Sequence, residues 1–79
     1  YGEALLQMSL LKYQTEDYLS SRAFLQRFMA SNAVTAGVLF LGARIESKLG
    51  DERARQDYIE RLLRDFPDSP EARSARGSG

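Results

Sequence analysis

The sequence contains neither cysteine nor histidine, and each absence removes a class of chemistry. Without cysteine the chain has no disulfide and no thiolate nucleophile. Without histidine it lacks the usual general base at neutral pH and the commonest protein ligand of zinc. Neither a glycine-rich phosphate loop nor the spacing of a calcium loop is present. We therefore predict no enzymatic activity, no cofactor and no bound metal.

The chain also lacks net charge, since eleven basic residues balance eleven acidic ones. A balanced chain has no broad field that would attract a polyanion, and this disfavours both nucleic-acid binding and attachment to an anionic membrane surface. The longest uncharged run, residues 28–43, is interrupted by polar side chains and is too short to span a bilayer. We therefore expect no direct membrane contact from this sequence.

Apolar residues at helical spacing are present along almost the whole chain. At 79 residues the chain can bury only a small core, and unstapled folds of this size depend on well-packed helices or on association. We therefore predict an all-α fold. Helices are expected from Gly2 to Gln14, from Glu16 or Asp17 to about Ala30, after Thr35 to Leu49, after Asp51 to about Asp65, and after Ser69 to Arg76.

The expected helix boundaries depend on capping residues. Thr15 is the expected N-cap of the second helix, because its hydroxyl can accept a hydrogen bond from a free backbone N–H. Gly50 is expected to end the third helix in a left-handed conformation, and Asp51 to cap the fourth. Pro67 stops the fourth helix, and Ser69 is the expected N-cap of the fifth because a proline follows it.

The expected core faces of the second and fourth helices follow the same periodicity. In the second helix they are Leu25, Phe28 and Met29, with the small Ser21 facing the neighbouring helix. In the fourth helix the residues expected to be buried are Ala54, Tyr58, Leu62 and Phe66. The opposite face of the fourth helix alternates in charge every four residues, which is typical of a solvated face and not of a binding site.

A shift of thirty-three residues aligns the first half of the chain with the second. The shift places Ser9 on Gly42 and Ser21 on Ala54, so that small residues match small ones. A period near 34 built from two helices is typical of tetratricopeptide repeats, and a plain four-helix bundle is the alternative. The predicted organisation is a first repeat over residues 1–34, a second over 35–68, the start of a C-terminal capping helix over 69–76 and a flexible tail over 77–79.

The second repeat carries a more specific resemblance. The run 39–51, followed by Tyr58 and by 64–72, resembles the C-terminal repeats of the type IV pilus biogenesis and stability lipoproteins, the pilotins, and residues 4–8 and 22–28 fit the preceding repeat of that family. The resemblance implies a lipoprotein on the periplasmic face of the Gram-negative outer membrane. Such a protein binds secretin subunits and promotes their assembly into the outer-membrane pore, and its membrane anchor is expected upstream of this sequence.

The expected partner-binding surface is a concave groove formed by the first helix of each stacked repeat. Tyr13 and Phe40 are expected to anchor an amphipathic peptide, while Gln7, Gln14 and Arg44 satisfy its polar groups. The full set of predicted groove residues is Leu6, Gln7, Leu10, Tyr13, Gln14, Phe40, Ala43, Arg44 and Ser47.

Two other functions remain open from the sequence. The chain could be a generic tetratricopeptide adaptor with a different protein partner. It could also be a structural module that forms a homo-oligomer, in which the apolar groove residues Leu6, Leu10 and Phe40 pack against a second copy.

Overall fold

The computed structural model describes residues 2–77, and this part of the chain is all-helical, which confirms the predicted fold class. The chain divides into two compact units, residues 1–34 and 35–79. The first unit contains α1 (Gly2–Gln14) and α2 (Tyr18–Ser31). The second contains α3 (Ala36–Leu49), α4 (Glu52–Asp65) and α5 (Pro70–Gly77). Each unit therefore includes one helical hairpin.

Helix α1 ends in a Schellman motif centred on Glu16. The Asp17 N–H donates to the Lys12 carbonyl at 2.8 Å, and the Glu16 N–H donates to the Tyr13 carbonyl at 3.1 Å. These bonds satisfy carbonyls that the end of a helix leaves without partners. Glu16 has a φ of 65°, and it is the one non-glycine residue with positive φ in the described chain. The motif thus places a side chain in a conformation that favours glycine.

The N-cap of α2 is Asp17, so the prediction of Thr15 as the cap is wrong. The Asp17 carboxylate accepts a hydrogen bond from the Ser20 N–H at 3.3 Å. Thr15 lies directly after α1, and its hydroxyl donates back to the Leu11 carbonyl at 3.1 Å and the Lys12 carbonyl at 3.2 Å. Because the Schellman motif needs two residues after Thr15, α2 begins only at Tyr18.

The turn between α3 and α4 repeats this geometry and confirms two predicted caps. Gly50 has a φ of 77°, its N–H donates to Ser47, and the Asp51 N–H donates to the Glu46 carbonyl at 3.0 Å. The Asp51 carboxylate then accepts from the Ala54 N–H at 3.1 Å. Because Gly50 and Asp51 correspond to Glu16 and Asp17, the turns repeat at 34 residues instead of the 33 used to align the sequence.

The starts of α3 and α5 have the caps that the sequence predicts. Thr35 Oγ1 accepts from the Val38 N–H at 3.3 Å, and Ser69 Oγ accepts from the Ala72 N–H at 3.0 Å. Helix α5 includes Gly77, one residue beyond the predicted end. Of the predicted tail over 77–79, the last two residues lie outside the described residues.

Paired serines close the hairpin of the first unit. Ser9 Oγ donates to the Ser21 carbonyl at 2.9 Å, Ser21 Oγ donates to the Ser9 carbonyl at 2.7 Å, and both residues are fully buried. Leu25 and Phe28 are buried on the predicted face of α2, and Met29 is half-buried. The reciprocal bonds satisfy two hydroxyls that would be costly to bury without partners.

A glycine and a tyrosine close the hairpin of the second unit. A Cβ on Gly42 would lie 2.6 Å from two ring atoms of Tyr58, so the ring rests directly on the α3 backbone. Of the residues predicted to be buried in α4, Leu62 is fully buried, and the others are half-buried. Ala54 and Phe66 lie near the ends of α4, where a helix has fewer neighbours, and Tyr58 covers Gly42 without being enclosed.

The charged face of α4 contains the ion pairs expected of a solvated surface. Arg61 lies 3.5 Å from Asp65 one turn later, and Arg64 lies 3.0 Å from the same carboxylate. The hydrogen bond from Arg64 lowers the pKa of Asp65. Exposed pairs of this kind contribute little to stability, so the main role of this face is to keep the outer side of α4 in contact with water.

Candidate functional site

An open cleft of about 370 Å³ lies between α3, α4 and α5 in the second unit. Helix α3 contributes most of its wall, α4 contributes two residues and α5 one. We call it the α3–α5 cleft, and the residues that line it are Phe40, Ala43, Arg44, Ser47, Arg55, Ile59 and Ala75.

The residues that α3 contributes to the cleft lie on one side of the helix, because they are spaced by three and four positions. Ala43 is buried and Phe40 is half-buried, whereas Arg44 and Ser47 are exposed. The helix therefore supplies an apolar floor next to a polar edge.

Helix α4 contributes Arg55 and Ile59, which lie one turn apart on the same face. Glu52 holds the Arg55 guanidinium, with Nη2 at 2.6 Å and Nε at 3.1 Å from its carboxylate oxygens. This hydrogen bond lowers the pKa of Glu52 and raises the pKa of Arg55. Arg55 is therefore a charged and oriented group at the edge of the cleft, beside the apolar Ile59.

Helix α5 contributes Ala75 and is fixed by its neighbours at its first turns. Ala72 is fully buried, Arg73 donates to the Asp68 carbonyl at 2.7 Å, and Arg76 donates to the Pro67 carbonyl at 3.0 Å. The two arginines bind α5 back to the turn that precedes it. The position of Ala75 at the cleft therefore follows from a well-anchored short helix.

The residues predicted to form one groove lie in both units. Phe40, Ala43, Arg44 and Ser47 line the α3–α5 cleft together. Among those on α1, Leu6 and Tyr13 are half-buried, and the remainder, Gln7, Leu10 and Gln14, are exposed. The continuous groove across both units stays a prediction.

Tyr13 has a contact within its own hairpin. Its ring centroid lies 5.4 Å from that of Tyr18 in an edge-to-face arrangement, across the turn between α1 and α2. Aromatic pairs of this geometry add a modest attraction beyond their buried area. A role in packing the hairpin therefore accompanies the predicted role of Tyr13 as an anchor for a partner.

The cleft is also lined by three residues that are absent from the predicted groove, namely Arg55, Ile59 and Ala75. Ile59 follows Tyr58 and lies off the face predicted to be buried, so an apolar residue there was a signal that α4 has a second apolar side. Ala75 gives no signal in the sequence, because its place depends on where α5 packs.

The polar groups of the cleft are guanidinium groups and one hydroxyl, which suit carboxylates and backbone carbonyls as ligands. Over residues 2–77 no group of three or more acidic side chains is arranged to hold a metal ion. None of the helices in the same range is long and apolar enough to cross a membrane.

No family model, curated protein or solved structure matches this chain. Interpretation of the α3–α5 cleft therefore depends on its own residues. They combine an apolar floor with a polar edge, which is a common arrangement at protein-binding surfaces.

Proposed function

We propose that this chain is a non-enzymatic protein-interaction scaffold of type IV pilus biogenesis, which binds a secretin segment and promotes assembly of the secretin in the outer membrane. The observation that carries the binding role is the α3–α5 cleft, an open apolar floor edged by Arg44 and Arg55. The resemblance of residues 39–51 and 64–72 to the pilotins supports the pilus assignment.

The chemistry of the cleft favours binding over catalysis. Guanidinium groups keep their proton at physiological pH, so Arg44 and Arg55 are poor general bases. Phe40 and Ile59 offer apolar contact area, which supplies binding energy when a partner side chain covers it. A peptide segment with apolar side chains fits these groups.

The proposed location follows from the same resemblance. A pilotin-like protein is held at the periplasmic face of the outer membrane by a lipid anchor on an upstream segment, and residues 2–77 then act as its binding part. Secretin subunits meet it on their way to the outer membrane. A helical-repeat adaptor with a different protein partner is the broader form of the same proposal.

A pull-down with the purified chain tests this function. Immobilised chain is expected to enrich a purified secretin C-terminal or periplasmic segment over an unrelated protein of similar charge. Ser47→Trp fills the exposed edge of the cleft and is expected to reduce the enrichment, whereas Gln26→Trp, on an exposed site of α2, leaves it unchanged. Absence of enrichment for every secretin segment would remove the pilus assignment.

Self-association is a second candidate function, and exposed leucines in the first unit favour it. Leu19 is 65% exposed, Leu11 49% and Leu10 42%. Leucines as exposed as these are accessible to a second copy of the chain. Sedimentation of the wild type and of Leu11→Ser with Leu19→Ser tests this function. A dimer that the double change converts to a monomer supports it, and a monomeric wild type over a wide concentration range argues against it.

A further inference from the structure

We draw no further inference here: the strongest candidate, the open cleft between α3, α4 and α5, carries nothing beyond the function proposed for it, because Glu52 already holds the Arg55 guanidinium and nothing in the structure over residues 2–77 shows what covers the cleft.

Discussion

The two hairpins share one turn geometry and differ in how their helices are held together. Glu16 and Gly50 occupy the same left-handed position, each followed by an aspartate that caps the next helix. Between the helices, the first hairpin has the hydrogen-bonded pair of Ser9 and Ser21, and the second has the Tyr58 ring on Gly42. The close approach of the two helices therefore requires a small residue on α1 and on α3. The contact at that point is polar in the first hairpin and apolar in the second.

The contact between the serines depends on the direction of its hydrogen bonds, whereas the contact between Gly42 and Tyr58 depends on the space available. Each serine hydroxyl has a defined carbonyl acceptor, so the first hairpin depends on two particular hydrogen bonds. Gly42 instead supplies space, which the aromatic ring fills. A larger side chain at Gly42 should therefore destabilise the second hairpin most. Loss of the serine hydroxyls should destabilise only the first hairpin.

Gly42→Leu is expected to give the largest loss of stability. Its Cβ would overlap the Tyr58 ring, and overpacking at a tight contact costs about 3 kcal/mol. Urea unfolding of the whole chain measures the effect. Gly37→Ala is the control, because a Cβ there meets only side-chain atoms at ordinary contact distance. Equal stability of wild type and Gly42→Leu would contradict the steric account of this hairpin.

Replacing both serines by alanine is expected to cost about 1–2 kcal/mol. The change removes two hydrogen bonds, while alanine recovers part of the loss through its higher helix propensity. Ser20→Ala, one residue away on α2, is the matched control and should have little effect. A double variant as stable as the wild type would show that the serines act only through their small size.

Replacing the left-handed residue is expected to change the free energy of unfolding in opposite directions in the two turns. Gly50→Ala is expected to lower the free energy of unfolding by about 1 kcal/mol, because a Cβ is strained at positive φ. Glu16→Gly is expected to raise it by less than about 1 kcal/mol, since relief of strain is offset by glycine entropy. Thermal unfolding compares the two variants, and a shift of the same sign in both would contradict the shared geometry.

The smallest expected effect is on the pH dependence of stability, and it arises in the second hairpin. The first turn of α4 contains Glu52, whose pKa is lowered by Arg55, whereas the first turn of α2 has no acidic residue. A lowered pKa stabilises the fold above the ordinary value of 4.5, and this stability is lost as the pH falls below it. Glu52→Gln should therefore make acid unfolding less steep, and an unchanged pH profile would contradict this.

Much of the fold could be predicted from the sequence because its signals are local. Thr35, Gly50, Asp51 and Ser69 act within one helical turn of their own positions, and all four cap as predicted. The error at Thr15 has a physical cause. Its hydroxyl can either cap the next helix or bond back to the previous turn, and the Schellman motif around Glu16 decides between the two.

The cleft could be predicted only in part, because it depends on contacts between distant residues. Phe40 and Arg44 were identified from their spacing on one helix. The places of Arg55 and Ala75 depend on how α4 and α5 pack against α3. The periodicity within a single helix does not contain that information. The turns are spaced by 34 residues and the sequence aligns by 33, which agrees with one extra residue between Gly42 and Gly50 in the second repeat.

Amide shift mapping with a secretin C-terminal segment tests the central claim most directly, because it asks in one measurement whether the chain binds and where. We expect saturable shifts at Ala43, Arg44, Ser47 and Ile59 that Ser47→Trp weakens and Gln26→Trp retains. No shifts, or shifts confined to α1 and α2, would contradict the claim.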